Sequence, residues 1–392
     1  METQDNLQHI FRMKAEMLCN GIIITQELIT KLENKGIYFN FGRKGGAGPA
    51  GGRYFRFPNG SIVNTPIWID EHPSTALQID TVDLDYTVHF IARHTVDFPI
   101  QPLYLIPVPK FYEEKSTNGL PFKQIALMHG DKTLATTLDQ KCVYWRNGSQ
   151  CKFCGIEFSL ESGATIQQKT PDQFLEALKT ARKEDPEYGR HLTITIGTQG
   201  TPDKGMANYI GILQAVKSYD PSIGIHVQIE PMHDMAWYAK VHDAGADTIG
   251  IHLEVLTDSV RAEVCPGKSA IPKATYYAHW KKAIEVFGPN QVDSFILTGF
   301  EQDLDHFKDE LRKIIEIGVV PVITPAKYIE GVAIEIPTLS TIEFRDIVLY
   351  AAQECHKNNV DPTQNRAGCV KCEGCSAIID AYRLVNPKTS SN

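Results

Sequence analysis

The chain has 392 residues, and its longest apolar run falls far short of the roughly 20 residues that span a bilayer, so no membrane partner is expected. Strongly basic stretches are missing too. Against 47 acidic side chains stand 39 Lys and Arg, for a formal net charge of −8, and GRKGG near residue 42 is the nearest approach to a basic patch. A nucleic-acid partner is therefore not expected. METQDNLQHIFRMKAE at the N-terminus has no secretory pattern; it is polar and reads as a solvated helix, so a cytoplasmic location is expected. A disulfide framework is absent as well, because nine cysteines is an odd number and a reducing compartment disfavours such bonds. What the composition does provide, 42% hydrophobic and 22% charged residues, suffices for a sizeable core. The length fits one large α/β domain with additions, or two domains.

Residues 1–35 are helical in pattern and end at the C-cap glycine Gly36. GRYFRFPNGSIVNTPIWID reads as two strands around a Pro-Asn-Gly turn. Before it, GRKGGAGPAGG (42–52) is too glycine-rich for helix or strand. It fits either a loop whose amides approach a phosphate or carboxylate, or a flexible surface connection. From about residue 122 the rhythm becomes regular. FKQIALMHG and TLATTLD are strand-like around a Gly-Asp turn, and strands HLTITIG, IGIHVQIE, DTIGIHLE, QVDSFILTG and VVPVITPA then alternate with helical segments. Counting TLATTLD, six strands alternate with helices, which predicts a parallel sheet covered by helices, either an open doubly wound sheet or an incomplete barrel. In both, chemistry belongs at the C-terminal strand ends. The expected division is an N-terminal helix and hairpin region over 1–120, an α/β core over 121–340, and a last helix with a cysteine-bearing tail over 341–392.

Six of the nine cysteines form two tight groups. KCVYWRNGSQCKFCGIE (141–157) places Cys142, Cys151 and Cys154 right after the first strand, and AGCVKCEGCSA places Cys369, Cys372 and Cys375 in the tail. Such grouping points to metal. Three thiolates leave one iron of a four-iron cluster without a protein ligand, an open position suited to binding a substrate. Zinc is the competing reading at both groups, with a histidine such as His129 completing the first. Cys19, Cys265 and Cys355 stand alone and read as small buried hydrophobes. Of the histidines near strand ends, His252 beside Glu254 is the candidate site residue; His226, His233 and His242 read as core or surface residues. Asp83/Asp85 reads as a turn, and YYAHW (276–280) as packing.

The C-x8-C-x2-C loop on this α/β core resembles the radical S-adenosylmethionine (SAM) enzymes, whose usual spacing is C-x3-C-x2-C. Phe153 matches the aromatic before the last cysteine, which packs near adenine. Gly197, Thr198, Gln199 and Gly200 of GTQGTP match, loosely and without the usual acidic residue, the glycine-rich segment for the SAM amino group. Glu230 of QIEP matches the ribose-binding carboxylate. HLEVLTDSVR (252–261) is similar to a segment of biotin and lipoyl synthases, which implies that His252 is a catalytic-site residue and that Glu254 and Arg261 contact SAM or substrate. ILTGFEQ (296–302) resembles the next strand of the same enzymes. A closer likeness is to the radical SAM proteins of nitrilase-containing gene clusters, which share the GRKGGAGP-like segment, the HLE strand and the AGC-x2-C-x2-C ending.

This resemblance implies a partial (βα)6 TIM-like barrel whose mouth is capped by the N-terminal region and the tail. It implies a 4Fe-4S cluster on Cys142, Cys151 and Cys154 with SAM on the open iron, cleaved reductively to a 5′-deoxyadenosyl radical. A second iron–sulfur cluster, 4Fe-4S in type, would sit on Cys369, Cys372 and Cys375, with Cys355, His356, Ser376, Arg366 or a substrate atom as its fourth ligand. The implied reaction is sulfur insertion at unactivated C–H bonds, as in lipoyl-type synthases. The alternatives are a radical rearrangement or tailoring step in a nitrilase-associated pathway, or a non-catalytic zinc-stabilised binding module. Implied partners are a low-potential electron donor (ferredoxin or flavodoxin) and a small-molecule or carrier-protein-bound substrate, with a second radical SAM protein as an option. The stretched insert VYWRNGSQ lies where Tyr144 or Arg146 could reach the site.

Overall fold

A computed structural model of the protein describes residues 3–39, 45–47, 52–337 and 339–387. The helical N-terminus is two helices rather than one: α1 (Gln4–Asn20) and α2 (Gln26–Glu33) flank strand β1 (Ile22–Ile24). Gly21 at φ +74° ends α1 with no room for a side chain, since a Cβ there would lie 2.6 Å from the Pro66 carbonyl oxygen. The three isoleucines that follow, β-branched and fully buried, run in parallel beside a strand instead of extending the helix.

The hairpin around Pro58-Asn59-Gly60 forms as expected, from β2 (Arg53–Arg56) and β3 (Ile62–Thr65). With β4 (Ile67–Ile69), β5 (Leu77–Val82), β6 (Thr87–Ala92) and β7 (Leu103–Leu105) it builds a seven-stranded mixed sheet, ordered β3-β2-β7-β6-β5-β1-β4. The Asp83/Asp85 pair is the predicted turn: Asp85 Oδ1 accepts from the Thr87 amide at 3.0 Å, and Asp83 bonds His89.

The second sheet is the expected core. A short helix α3 (Phe122–Ile125) leads into β8 (Leu127–His129), which pairs antiparallel with β9 (Thr133–Thr137). Beyond the cysteine segment, with α4 (Val143–Arg146) and α5 (Ile156–Glu161), the units repeat. They are α6 (Pro171–Glu184), β10 (His191–Thr195), α7 (Ala207–Tyr219), β11 (Gly224–Ile229), α8 (Trp237–Asp243), β12 (Thr248–Ile251), α9 (Asp258–Val264), α10 (Lys273–Phe287), β13 (Val292–Thr298), α11 (Leu304–Ile317) and β14 (Val320–Pro325). Strands β9 to β14 are parallel and lie side by side in chain order. Right-handed crossovers between successive neighbours put every connecting helix on one face, which curls the sheet. No pairing closes β14 onto β8 among the described residues, so this is a partial (βα)6 barrel.

Alternation along the strands fixes what each face carries. Leu192, Ile194, Ile225, Val227 and Ile249 pack outward under the helices, as does Trp280 of α10, whose Nε1 donates to the Ile251 carbonyl. YYAHW is thus packing, as its spacing predicts. The inward residues are polar and equally buried: His191, Thr193, His226, Thr248 and Asp293. A barrel lining of that kind is not a hydrophobic plug.

The tail departs from expectation. After α12 (Thr341–Lys357), α13 (Gly368–Cys372) enters the barrel from its N-terminal end, not at the mouth. Arg366 donates to the carbonyls of Asp247 at 3.0 Å and Phe287 at 3.2 Å, and its own amide donates to Gln291 Oε1. Asp247 and Gln291 immediately precede β12 and β13, so they mark the lower rim. α14 (Ile378–Val385) then packs with α1, where Lys14 Nζ meets Asp380 at 2.6 Å with both side chains buried. The N-terminal sheet meets the tail and also reaches the upper rim: the Asn64 amide donates to the Gly374 carbonyl, and the Asn64 carbonyl accepts from Lys327, just after β14.

Candidate functional site

At the upper rim, the chain leaves β9 and passes directly beside the end of β10. The Gly197 amide donates to the Asp139 carbonyl at 2.8 Å, and Val143 donates to the Thr198 carbonyl at 2.8 Å. This approach is possible only because residue 197 is glycine: a Cβ would lie 2.2 Å from the Lys141 carbonyl oxygen. Further on, the Lys152 amide bonds the Val264 carbonyl and Gly267 bonds that of Ser149, clamping the cysteine loop against the segment after α9.

Cys142, Cys151 and Cys154, separated by up to twelve positions in sequence, line one cavity of about 210 Å³. Phe153, Gly197, Thr198, Glu230, His252 and Glu254 line the same cavity, as the sequence reading expects. Three expected members do not. Gln199 turns its amide onto the carbonyls of Lys141 and Gly197, shaping the loop rather than facing the cavity. Gly200 lies beyond it, beside Val143. Arg261 is buried beneath the site and donates to the carbonyls of Lys268 at 2.7 Å and Ile271 at 2.8 Å, with its guanidinium over the Tyr276 ring. Its role is to hold the loop that presents Lys268. Of the insert residues, Tyr144 and Trp145 line the cavity, and Arg146 does not.

Two carboxylates face the cavity, each held by a cation. Glu254 sits in a left-handed backbone conformation at φ +69°, rare for a side chain of that size and typical of functional sites. Lys268 reaches it at 2.9 Å. Burial pulls down the Lys268 pKa, but Glu254, Cys151 and further acidic neighbours outweigh it and keep the amine charged. Glu230 accepts from the Tyr144 hydroxyl at 2.9 Å and has Lys204 at 3.4 Å, while its second oxygen is buried without a partner among the described residues. Lys268, missed in sequence, follows no motif; only its position after α9 brings it in.

Burial pushes the Cys142 thiol up, and burial together with Cys151 pushes Cys154 up to about 12. Thiols so placed stay protonated until a bound metal draws off the proton. Three soft donors on one cavity, Cys151 buried and Cys142 and Cys154 half-buried, fit an iron–sulfur cluster. Cys265 is fully buried among Val255 and Val264, as expected of a small hydrophobe, and it also lies beside Cys151. The two Sγ atoms and a Glu254 oxygen lie within 4.8 Å of one another.

Residues 45–47 of the glycine-rich segment come to the same place; the other calls on 42–52 fall largely outside the described residues. Gly45 exchanges hydrogen bonds with Ser159 of α5, Ala47 donates to Thr137 Oγ1 at 2.7 Å, and Gly46 lines the cavity.

The second cysteine group lies at the opposite end. Gln228 Nε2 donates to Cys369 Sγ at 3.3 Å, and Cys372 Sγ faces the His129 carbonyl at 3.7 Å. His129 thus belongs beside this group, not the first. Gly368 at φ +84° lies against His226, where a Cβ would be 2.2 Å from Cγ. The Gly374 carbonyl accepts from the Asn64 amide at 2.6 Å, and Gly374 lies under Tyr54, whose buried hydroxyl has no partner among the described residues. Burial and the neighbouring Cys375 push Cys372 up to about 12. Gln228 also lines the upper cavity, so one side chain spans from the first group to the second.

No family model matches this chain, and no curated protein sequence matches it. Among solved structures it is similar to HydG, a maturase of the [FeFe]-hydrogenase, at 15% identity and TM-score 0.44 over 60% of this chain and 52% of that one. It is similar also to the FeFe-hydrogenase maturase HydG from Carboxydothermus hydrogenoformans, at 17% identity and TM-score 0.44 over 64% and 55%. The chain thus spans about half the length of these structures.

Proposed function

We propose that this protein is a radical SAM enzyme with a second, auxiliary iron–sulfur cluster in its tail. The observation that carries the reading is the convergence of Cys142, Cys151 and Cys154 on one cavity at the C-terminal ends of the parallel strands. A cluster held there, with SAM at its open iron, supplies reductive cleavage of SAM to a 5′-deoxyadenosyl radical. The chain's own residues then have separate tasks. Phe153 offers an aromatic face to the adenine, and Glu230, fixed by Tyr144 and Lys204, has one free oxygen for the ribose hydroxyls. Glu254 and Lys268 form an ion pair, and His252 lines the same cavity. Burial keeps His252 neutral, and because its Nδ1 accepts from the Phe295 amide, its Nε2 carries the proton.

Sulfur insertion at an unactivated C–H bond is the finer proposal. The tail thiols at the barrel's lower end, joined to the cavity through Gln228, support it. A substrate between the two groups would have sulfide on one side and the radical on the other, with a ferredoxin or flavodoxin as electron donor. Anaerobic purification tests the class: about seven or eight irons per chain are expected if both clusters are cubanes. Dithionite should then produce 5′-deoxyadenosine from SAM, and Cys142→Ala should abolish it. Sulfur insertion requires more, namely that Cys372→Ala keeps SAM cleavage but loses the sulfurated product.

One observation favours a second reading. Cys265 beside Cys151 offers a fourth thiol, and four thiols can close a zinc or electron-carrying site with no open position. A colourless protein holding one zinc, or loss of the metal in Cys265→Ser, would decide for it.

A further inference from the structure

The tail's own candidate side chains are placed elsewhere than at a fourth-ligand position. Cys355 is buried in α12 with Asp361 and Glu354 as its charged neighbours, and the His356 ring lies against Tyr382. Arg366 is committed to backbone carbonyls, and Ser376 Oγ accepts the Ile378 amide that begins α14.

The barrel wall offers another donor. Gln228, Gly250 and Asp293 are adjacent in register on β11, β12 and β13, and all three face inward. Gln228 holds Cys369 Sγ. Gly250 has no side chain to separate its two neighbours, and a Cβ there would lie 3.0 Å from Asp293 Oδ1. Asp293 is wholly buried, and neither carboxylate oxygen has a hydrogen-bond partner among the described residues. His226 Nδ1 stands 3.7 Å from Oδ2, but that nitrogen is engaged by Thr248 Oγ1 at 2.8 Å and the ring is held neutral by burial. Thr193 Oγ1 and His226 Nε2 are orphaned in the same wall. A dry carboxyl with no donor costs several kcal/mol unless a cation compensates it. Cys369 is close by, since Gly368 before it packs against the same His226 ring that faces Asp293.

We infer that Asp293 is the fourth, oxygen ligand of the iron–sulfur cluster held by Cys369, Cys372 and Cys375. The inference rests on the auxiliary-cluster reading above. The carboxyl proton leaves as the iron–oxygen bond forms, and no redox change is involved. A carboxylate is harder than a thiolate and holds iron less firmly, so this iron is the exchangeable corner of the cluster, turned toward the barrel interior.

The test uses the full chain with Cys142, Cys151 and Cys154 all changed to alanine, so that only the tail reports. This parent should hold about four irons per chain. Adding Asp293→Asn should shift the EPR spectrum of the dithionite-reduced cluster and leave a three-iron form after brief air exposure, and Asp293→Cys should restore four irons. In the otherwise unaltered parent, carboxyl-13C aspartate should add a hyperfine splitting to the cluster signal, a readout that needs no change at position 293. An iron-loaded parent with no such splitting, and an Asp293→Asn spectrum identical to it, overturns the ligand while leaving the auxiliary cluster standing. A parent with no iron in the tail, or with zinc, overturns both.

Discussion

At the scale of single residues, the site is built by close approaches that allow few substitutions. Gly197 is the sharpest case. Its φ is not in the left-handed region, so Gly197→Ala tests space alone: the new Cβ would meet the Lys141 backbone, which cannot rotate away. The cysteine loop must shift, and Gly197→Ala is expected to lose the iron of the first site, about half the total, at a stability cost of about 1–3 kcal/mol. Iron analysis with a denaturant titration checks both. Lys268→Met should cost about 3–5 kcal/mol by stranding Glu254 in a buried site, and the double change with Glu254→Gln should recover most of it. A double-mutant cycle by anaerobic urea unfolding measures the recovery. Phe153, Glu230 and Glu254 were singled out in sequence through the resemblance of short motifs, Phe153 in the cysteine loop and the two glutamates just past β11 and β12. Lys268 and Cys265 were not, since the contact that makes each of them relevant lies across the fold and leaves no local pattern.

Between elements, helix and strand alternation predicted β9 to β14 well, because residues buried on one face under helices leave a strong apolar period. β1 escaped because three residues are too few to show any period, and the helices on either side hide it. Buried histidines between elements give a pH signature. His279 of α10 bonds the Tyr238 hydroxyl of α8 at 2.7 Å, and burial lowers its pKa to about 4; burial likewise lowers that of His191 on β10 to about 3. Both have folded values below the unfolded one near 6.5, so the unfolded chain binds the extra protons. Stability is therefore full above about pH 6.5, falls as the pH drops below it, and levels off only below the folded values. The loss at pH 5 should be on the order of 2 kcal/mol per histidine. Urea midpoints at pH 7 and pH 5 check this, and His279→Gln should flatten its share of the slope.

For the molecule as a whole, the partial barrel could be read from the sequence but the direction of the tail could not. Nothing in AGCVKCEGCSA says which rim it meets; that is set by Arg366 on the lower carbonyls and by Gly368 against His226. The two ends of the chain fasten it there, through Lys14, Ser61 and Asp380, mutually bonded and buried. Lys14→Met strands Asp380 and should cost about 3–5 kcal/mol. Limited proteolysis should then cut in 358–366 well before the barrel, whereas equal resistance of the variant and the parent would count against the clasp. Because the tail follows every barrel strand in the order of synthesis, the lower end of the barrel stays open until its plug arrives. If both cysteine groups hold metal as proposed, they would be loaded in a fixed sequence, the upper one while the chain is still growing and the lower one only as the bottom is sealed. Assembly itself would then admit metal to the tail thiols only after the barrel strands are in place.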